Sequence, residues 1–79
     1  MKITVLAFGL LREQAGLSPG KASTLELPEG ALIADALVVL GLDPDAVVHL
    51  LLDGRNAVVT DLLQDGAELT LMPAFAGGV

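Results

Sequence analysis

The sequence predicts an α+β domain, with a mixed sheet of four to five strands and one main helix packed across one face. Three observations predict it. Short runs of β-branched and aliphatic residues are punctuated throughout by Gly, Pro and Asp turn residues. Only residues 31–40 repeat apolar side chains at clear helical spacing. The order is strand, strand, helix, strand, short strand, strand, so a single helix covers one side of the sheet and leaves the other to solvent or a partner.

The first strand is residues 2–8, Lys-Ile-Thr-Val-Leu-Ala-Phe, which partly alternate and stop at Gly9. Leu10 to Ala15 reads as about one helical turn before Gly16, and Ser18-Pro19-Gly20 as a loop. Ser23 to Leu27, with Leu25 and Leu27 on one face, is the second strand of a hairpin with the first; Pro28-Glu29-Gly30 ends it. In the helix, Leu32, Ile33, Ala36, Leu37 and Leu40 share an apolar face, and Gly41 is placed to terminate it. Asp43-Pro44 suits a turn or a one-turn helix start, and Val47 to Leu52 a buried strand. Asp53-Gly54 is a hairpin-turn dipeptide leading to a short strand through Ala57-Val58-Val59. Asp61 to Leu63 is expected to form a single turn before Asp65-Gly66, and Glu68 to Met72 the last strand.

This order matches the β-grasp, or ubiquitin-like, architecture. Residues 1–73 form the domain and 74–79 a flexible tail carrying Gly77-Gly78. With Ile3, Val5, Leu25, Leu27, Leu50, Leu69 and Leu71 toward the helix, period-two alternation turns Leu6, Phe8, His49, Leu51 and Met72 outward. These outward residues are the expected docking surface.

Composition narrows the function. At 79 residues the chain is one domain near the lower size limit for an unaided core. Its 53% hydrophobic content leaves apolar side chains over for a partner-facing patch. A net charge of −6 with no Lys/Arg cluster argues against nucleic acid and suits either a basic protein partner or the solubility of a small apolar domain. Absence of cysteine rules out a disulfide or thiol nucleophile and fits a cytoplasmic setting. No apolar run approaches membrane-spanning length. The run from Ile3 to Leu11 is broken by Gly9 and lacks a cleavage site, so it is read as a strand rather than a signal peptide. His49, the single histidine, has too few companions for a metal site, and Asp43 and Asp45 around Pro44 suit turn hydrogen bonds. No P-loop sequence occurs, so any ATP is bound by another protein.

The Gly77-Gly78 ending suggests a backbone tail built to be chemically modified. Glycines lack a Cβ and can thread a channel too narrow for side chains. Residues 74–78 extend roughly 15 Å at about 3.3 Å per residue.

Phe8-Gly9, Arg12-Glu13, Ala15-Gly16, Pro28-Glu29-Gly30, Asp65-Gly66-Ala67-Glu68 and the Gly-Gly ending after Pro73, in that order, resemble the sulfur-carrier family. That family includes the small subunit of molybdopterin synthase and the thiamine-biosynthesis sulfur carrier. The resemblance implies a carrier with no catalytic site and no bound cofactor. An E1-like enzyme adenylates its terminal glycine with ATP, and a sulfur donor then forms a thiocarboxylate. Gly78 is the residue expected to carry that group, and Gly77 to ease passage of the tail. A synthase large subunit is a further implied partner.

Two features depart from the family pattern. Pro73-Ala74-Phe75 stands where the molybdopterin branch commonly has Pro-Pro-Val, although molybdopterin remains slightly favoured. Val79 follows Gly78, so the resemblance implies a precursor from which a metalloprotease removes Val79. Phe75 is expected either to anchor the tail in a partner pocket or to pack back onto the sheet edge. The competing expectations are a ubiquitin-like modifier joined to lysines through Gly78, and an interaction module with an inert tail.

Overall fold

A computed structural model describes residues 1–8, 16, 22–43 and 47–73. The elements are β1 (Lys2–Ala7), β2 (Ser23–Glu26), α1 (Ile33–Val39), β3 (Val47–Leu52), β4 (Arg55–Ala57) and β5 (Glu68–Pro73). The five strands form one sheet in the order β2-β1-β5-β3-β4. β1 and β5 pair in parallel and every other pair is antiparallel, so the sheet is mixed as expected.

The core lies between α1 and one sheet face. Ile3 and Val5 of β1, Leu50 of β3, and Leu69 and Leu71 of β5 are buried against Ile33, Ala36 and Leu37 of the helix. Each such aliphatic side chain contributes about 1.5–3 kcal/mol when fully removed from water. Alternation explains the selection, since residues i and i+2 of a strand share a face. Leu25, expected in this core, is only half-buried and packs against its margin, because β2 is an edge strand with one neighbour.

The helix is shorter than the 31–40 read from its apolar spacing. Leu32 has extended backbone (φ −97°, ψ 166°) and forms an isolated bridge with Leu62. Its N–H donates to Asp35 Oδ2 at 2.8 Å, the backward half of a capping box. Asp61 to Leu63 therefore makes that bridge rather than a single turn: Ile33 N–H donates to Asp61 O and Leu63 N–H to Ala31 O, binding this segment alongside the helix start. At the other end Gly41 (φ +77°) terminates the helix as expected, with its N–H bonded to Val38 O and that of buried Leu42 to Leu37 O.

Other boundaries shift by one or two residues. β1 ends at Ala7, although Phe8 N–H still donates to Leu71 O. β2 ends at Glu26, with Leu27 N–H bonded to Met1 O. β4 ends at Ala57, because Val58 N–H turns to Asp61 Oδ2 at 2.9 Å instead of extending the ladder. The Asp53-Gly54 turn is confirmed, both residues having positive φ (+52° and +81°) between the paired Leu52 and Arg55. The expected turn at Leu10–Ala15, the Ser18-Pro19-Gly20 loop and the turn at Pro44 fall outside the described residues. No helix among the described residues is long and apolar enough to cross a membrane.

Candidate functional site

The site begins with β5, the middle strand, whose C-terminal end is the root of the tail. Its entry is tied from both sides. Thr4 N–H donates to Ala67 O, Gly66 N–H to Lys2 O, and Lys2 N–H to Asp65 Oδ1 at 2.7 Å. From the β3–β4 turn, Asp53 N–H donates to Glu68 O, while Glu68 N–H returns a bond to Asp53 Oδ1 at 2.9 Å. Along its length β5 is flanked by β1 and β3, so Pro73 is held opposite Val47 at the centre of one sheet end.

Register sets the outer face. Leu6 stands beside Thr70, Thr70 beside Leu51 and Leu51 beside Asn56, one row across four strands. Nearer the tail, Met72 pairs with His49, and Phe8 sits just past β1 where its N–H meets Leu71 O. Leu6, Leu51 and Met72 are half-buried, His49 is exposed, and Phe8 is 45% exposed. Thus all five residues expected to point outward do so, in two adjacent rows at the tail end of the sheet. The other end is charged. Glu68 lies beside Thr4, the Asp53 and Asp65 turns follow, and Lys2 Nζ pairs with Glu26 Oε1 at 3.6 Å.

Thr70 was not among the residues singled out from the sequence. It sits at the centre of the apolar row and is 9% exposed, the one buried polar residue among those described. The signal for it was present, because Thr70 is two residues from both Glu68 and Met72 and so shares their face. Gly77, Gly78, Val79 and Phe75 lie outside the described residues.

The arrangement is suited to binding. Among the described residues no three His, Cys, Asp or Glu side chains gather as metal donors. An apolar centre, a tail root at one end and acidic turns at the other make the face asymmetric along β5.

The model of the ThiS family matches residues 5–78. No curated protein matches the chain. Among solved structures, a molybdopterin converting factor subunit 1 of Pyrococcus furiosus is 26% identical, with TM-score 0.72, over 92% of this chain and 97% of its own. Small archaeal modifier protein 1 of Haloferax volcanii is 24% identical, with TM-score 0.74, over 99% of this chain and 100% of its own. The Methanosarcina acetivorans small archaeal modifier protein 1 is 22% identical, with TM-score 0.70, over 98% and 96%. All three share the five-stranded, one-helix β-grasp fold of this chain.

Proposed function

The chain belongs to the ThiS family, and on that premise we propose that it carries sulfur on the carboxyl group of Gly78. Proteins of this family are small carriers or modifiers without a catalytic site of their own, and the same holds here. The observation that carries the reading is the extent of the family match. It runs from Val5 within β1 through the other four strands and ends on Gly78, the second glycine of the pair, leaving Val79 beyond it.

In this reading a metalloprotease first hydrolyses the Gly78–Val79 peptide bond and frees the Gly78 carboxylate. An E1-like enzyme then joins a carboxylate oxygen to the α-phosphorus of ATP and releases pyrophosphate. Hydrosulfide attacks the acyl carbon, the bond from that carbon to the AMP oxygen breaks, the S–H proton is lost, and the thiocarboxylate remains. The enzyme docks on Leu6, Phe8, Leu51, Met72 and His49, so that the tail rooted at Pro73 enters its active site; Phe75 anchors the tail there and Gly77 lets it pass. A synthase large subunit uses the same face when sulfur is delivered. Molybdopterin is the favoured product, supported by the likeness to the Pyrococcus furiosus subunit. The cytoplasm, where the ATP is, is the proposed setting.

Transfer of the same acyl group to lysine amines is the second reading. It is supported by a fold that is also that of small archaeal modifier proteins. The intact mass of protein isolated from its native host separates the two. Loss of Val79 with exchange of one oxygen for sulfur is the expected result. Diglycine remnants on lysines of other proteins would transfer the assignment to the modifier, and retention of Val79 with no adduct would overturn both.

A further inference from the structure

The sheet face accounts for only one of the exposed large apolar residues, Phe8. The other four described are on the helix side of the domain: Val38 at 68% exposed, Val39 at 59%, Val58 at 58% and Leu62 at 54%. Val38 and Val39 occupy the solvent side of α1, opposite the buried Ile33, Ala36 and Leu37. Neither helix propensity nor burial accounts for them. Valine is β-branched and loses side-chain freedom in a helix, and a solvent-facing helix position ordinarily carries a polar residue. Departures of this kind from local preference cluster at functional positions.

Backbone bonds bring Val58 and Leu62 to the start of α1, while Val38 and Val39 lie on its last turn. Ala34 N–H donates to Val59 O at 2.8 Å, which sets Val58 beside the first turn of α1; Val38 lies one turn further along, four residues from Ala34. Leu62 is bridged to Leu32 at the helix start. Two carboxylates border the group in fixed positions, Asp35 accepting from Leu32 N–H and Asp61 from Val58 N–H. The last helical turn has no basic residue, and the Lys and Arg side chains among the described residues, those of Lys2 and Arg55, are both on strands.

We infer that this helix side is a second docking surface, for a segment of a partner protein that presents apolar side chains flanked by Lys or Arg. Charge complementarity selects that occupant. A second copy would set Asp35 and Asp61 against acids of another chain of net charge −6. An anionic membrane is disfavoured for the same reason. Because α1 packs on the inner sheet face, a partner held here leaves Leu6, Leu51 and Met72 free, and the two surfaces can be occupied together.

The test is a titration of the full chain, followed in amide ¹⁵N–¹H spectra, with a synthetic amphipathic peptide of Leu and Lys and with the same peptide carrying Glu for Lys. The Lys peptide is expected to shift the amides of Val38, Val39, Val58 and Leu62 while those of Leu6, Leu51 and Met72 stay in place; the Glu peptide is expected to shift none. The double substitution Val38→Ser, Val39→Ser, both at exposed positions, is expected to weaken the Lys peptide roughly tenfold through lost apolar contact. Shifts confined to the sheet face, equal response to both peptides, unchanged affinity of the double variant, or self-association of the chain through these valines would each overturn the proposal.

Discussion

Leu50 and Leu51 are neighbours on β3 that face opposite ways, and truncating each to alanine is expected to divide stability from partner binding. Leu50 is 6% exposed, paired with Leu71 in the core beneath α1. Leu50→Ala removes buried methyl groups and leaves a cavity, costing about 3 kcal/mol within the usual range of about 2–5 for such changes. A domain of this size loses roughly 4–8 °C in melting temperature per kcal/mol, so the midpoint is expected to fall by about 12–24 °C. Leu51 is half-buried beside Thr70 on the outer face. Leu51→Ala forgoes only part of the transfer energy and opens no enclosed cavity, for a cost of about 1 kcal/mol or less. Thermal unfolding followed by circular dichroism gives both stabilities, and calorimetric titration with the proposed E1-like partner gives both affinities. At a temperature where each variant is folded, Leu51→Ala is expected to bind at least about tenfold more weakly and Leu50→Ala as the unaltered chain does. Equal destabilisation by the two changes would refute the inner and outer assignment of β3. Full affinity in Leu51→Ala would refute the docking face.

Two further outcomes follow from local geometry. Gly54→Ala is expected to cost about 1–2 kcal/mol in urea unfolding, since φ is +81° while a Cβ there meets no atom within 4 Å, so the penalty is conformational alone; a neutral result would contradict the left-handed turn. Lys2→Met is expected to change stability by less than about 1 kcal/mol, because the side chains of the Lys2–Glu26 pair are 68% and 75% exposed; a larger loss in the same assay would show that the pair does more than geometry indicates.

The central strands were legible because their alternation is strong. Ile3, Val5, Leu69 and Leu71 are each at most 1% exposed, and a one-residue slip would turn each of them to the outer face. The outer face followed from the same alternation, including Phe8, which lies past the end of β1. Element ends were less legible, for a specific reason. Asp35 and Asp61 each accept a backbone N–H three residues away, from Leu32 and Val58, and those local bonds stop the helix and β4 short of their apolar patterns. Thr70 escaped notice because a threonine in a strand reads as a surface residue, and only the closeness of two flanking strands buries it. Val38 and Val39 fell outside the apolar face read from the helical spacing, but spacing alone did not show how fully the helix leaves them exposed.

The placement of β5 also has a mechanical meaning. A partner that draws the tail into its interior pulls on the C-terminal end of a strand bonded along its length to parallel β1 on one side and antiparallel β3 on the other. Force in that direction runs along the strand axis and loads both ladders in shear, so many hydrogen bonds share it at once instead of opening one at a time as they would in an edge strand peeled away. Under the proposed threading, the sheet behind Pro73 would serve as a rigid handle for the pull.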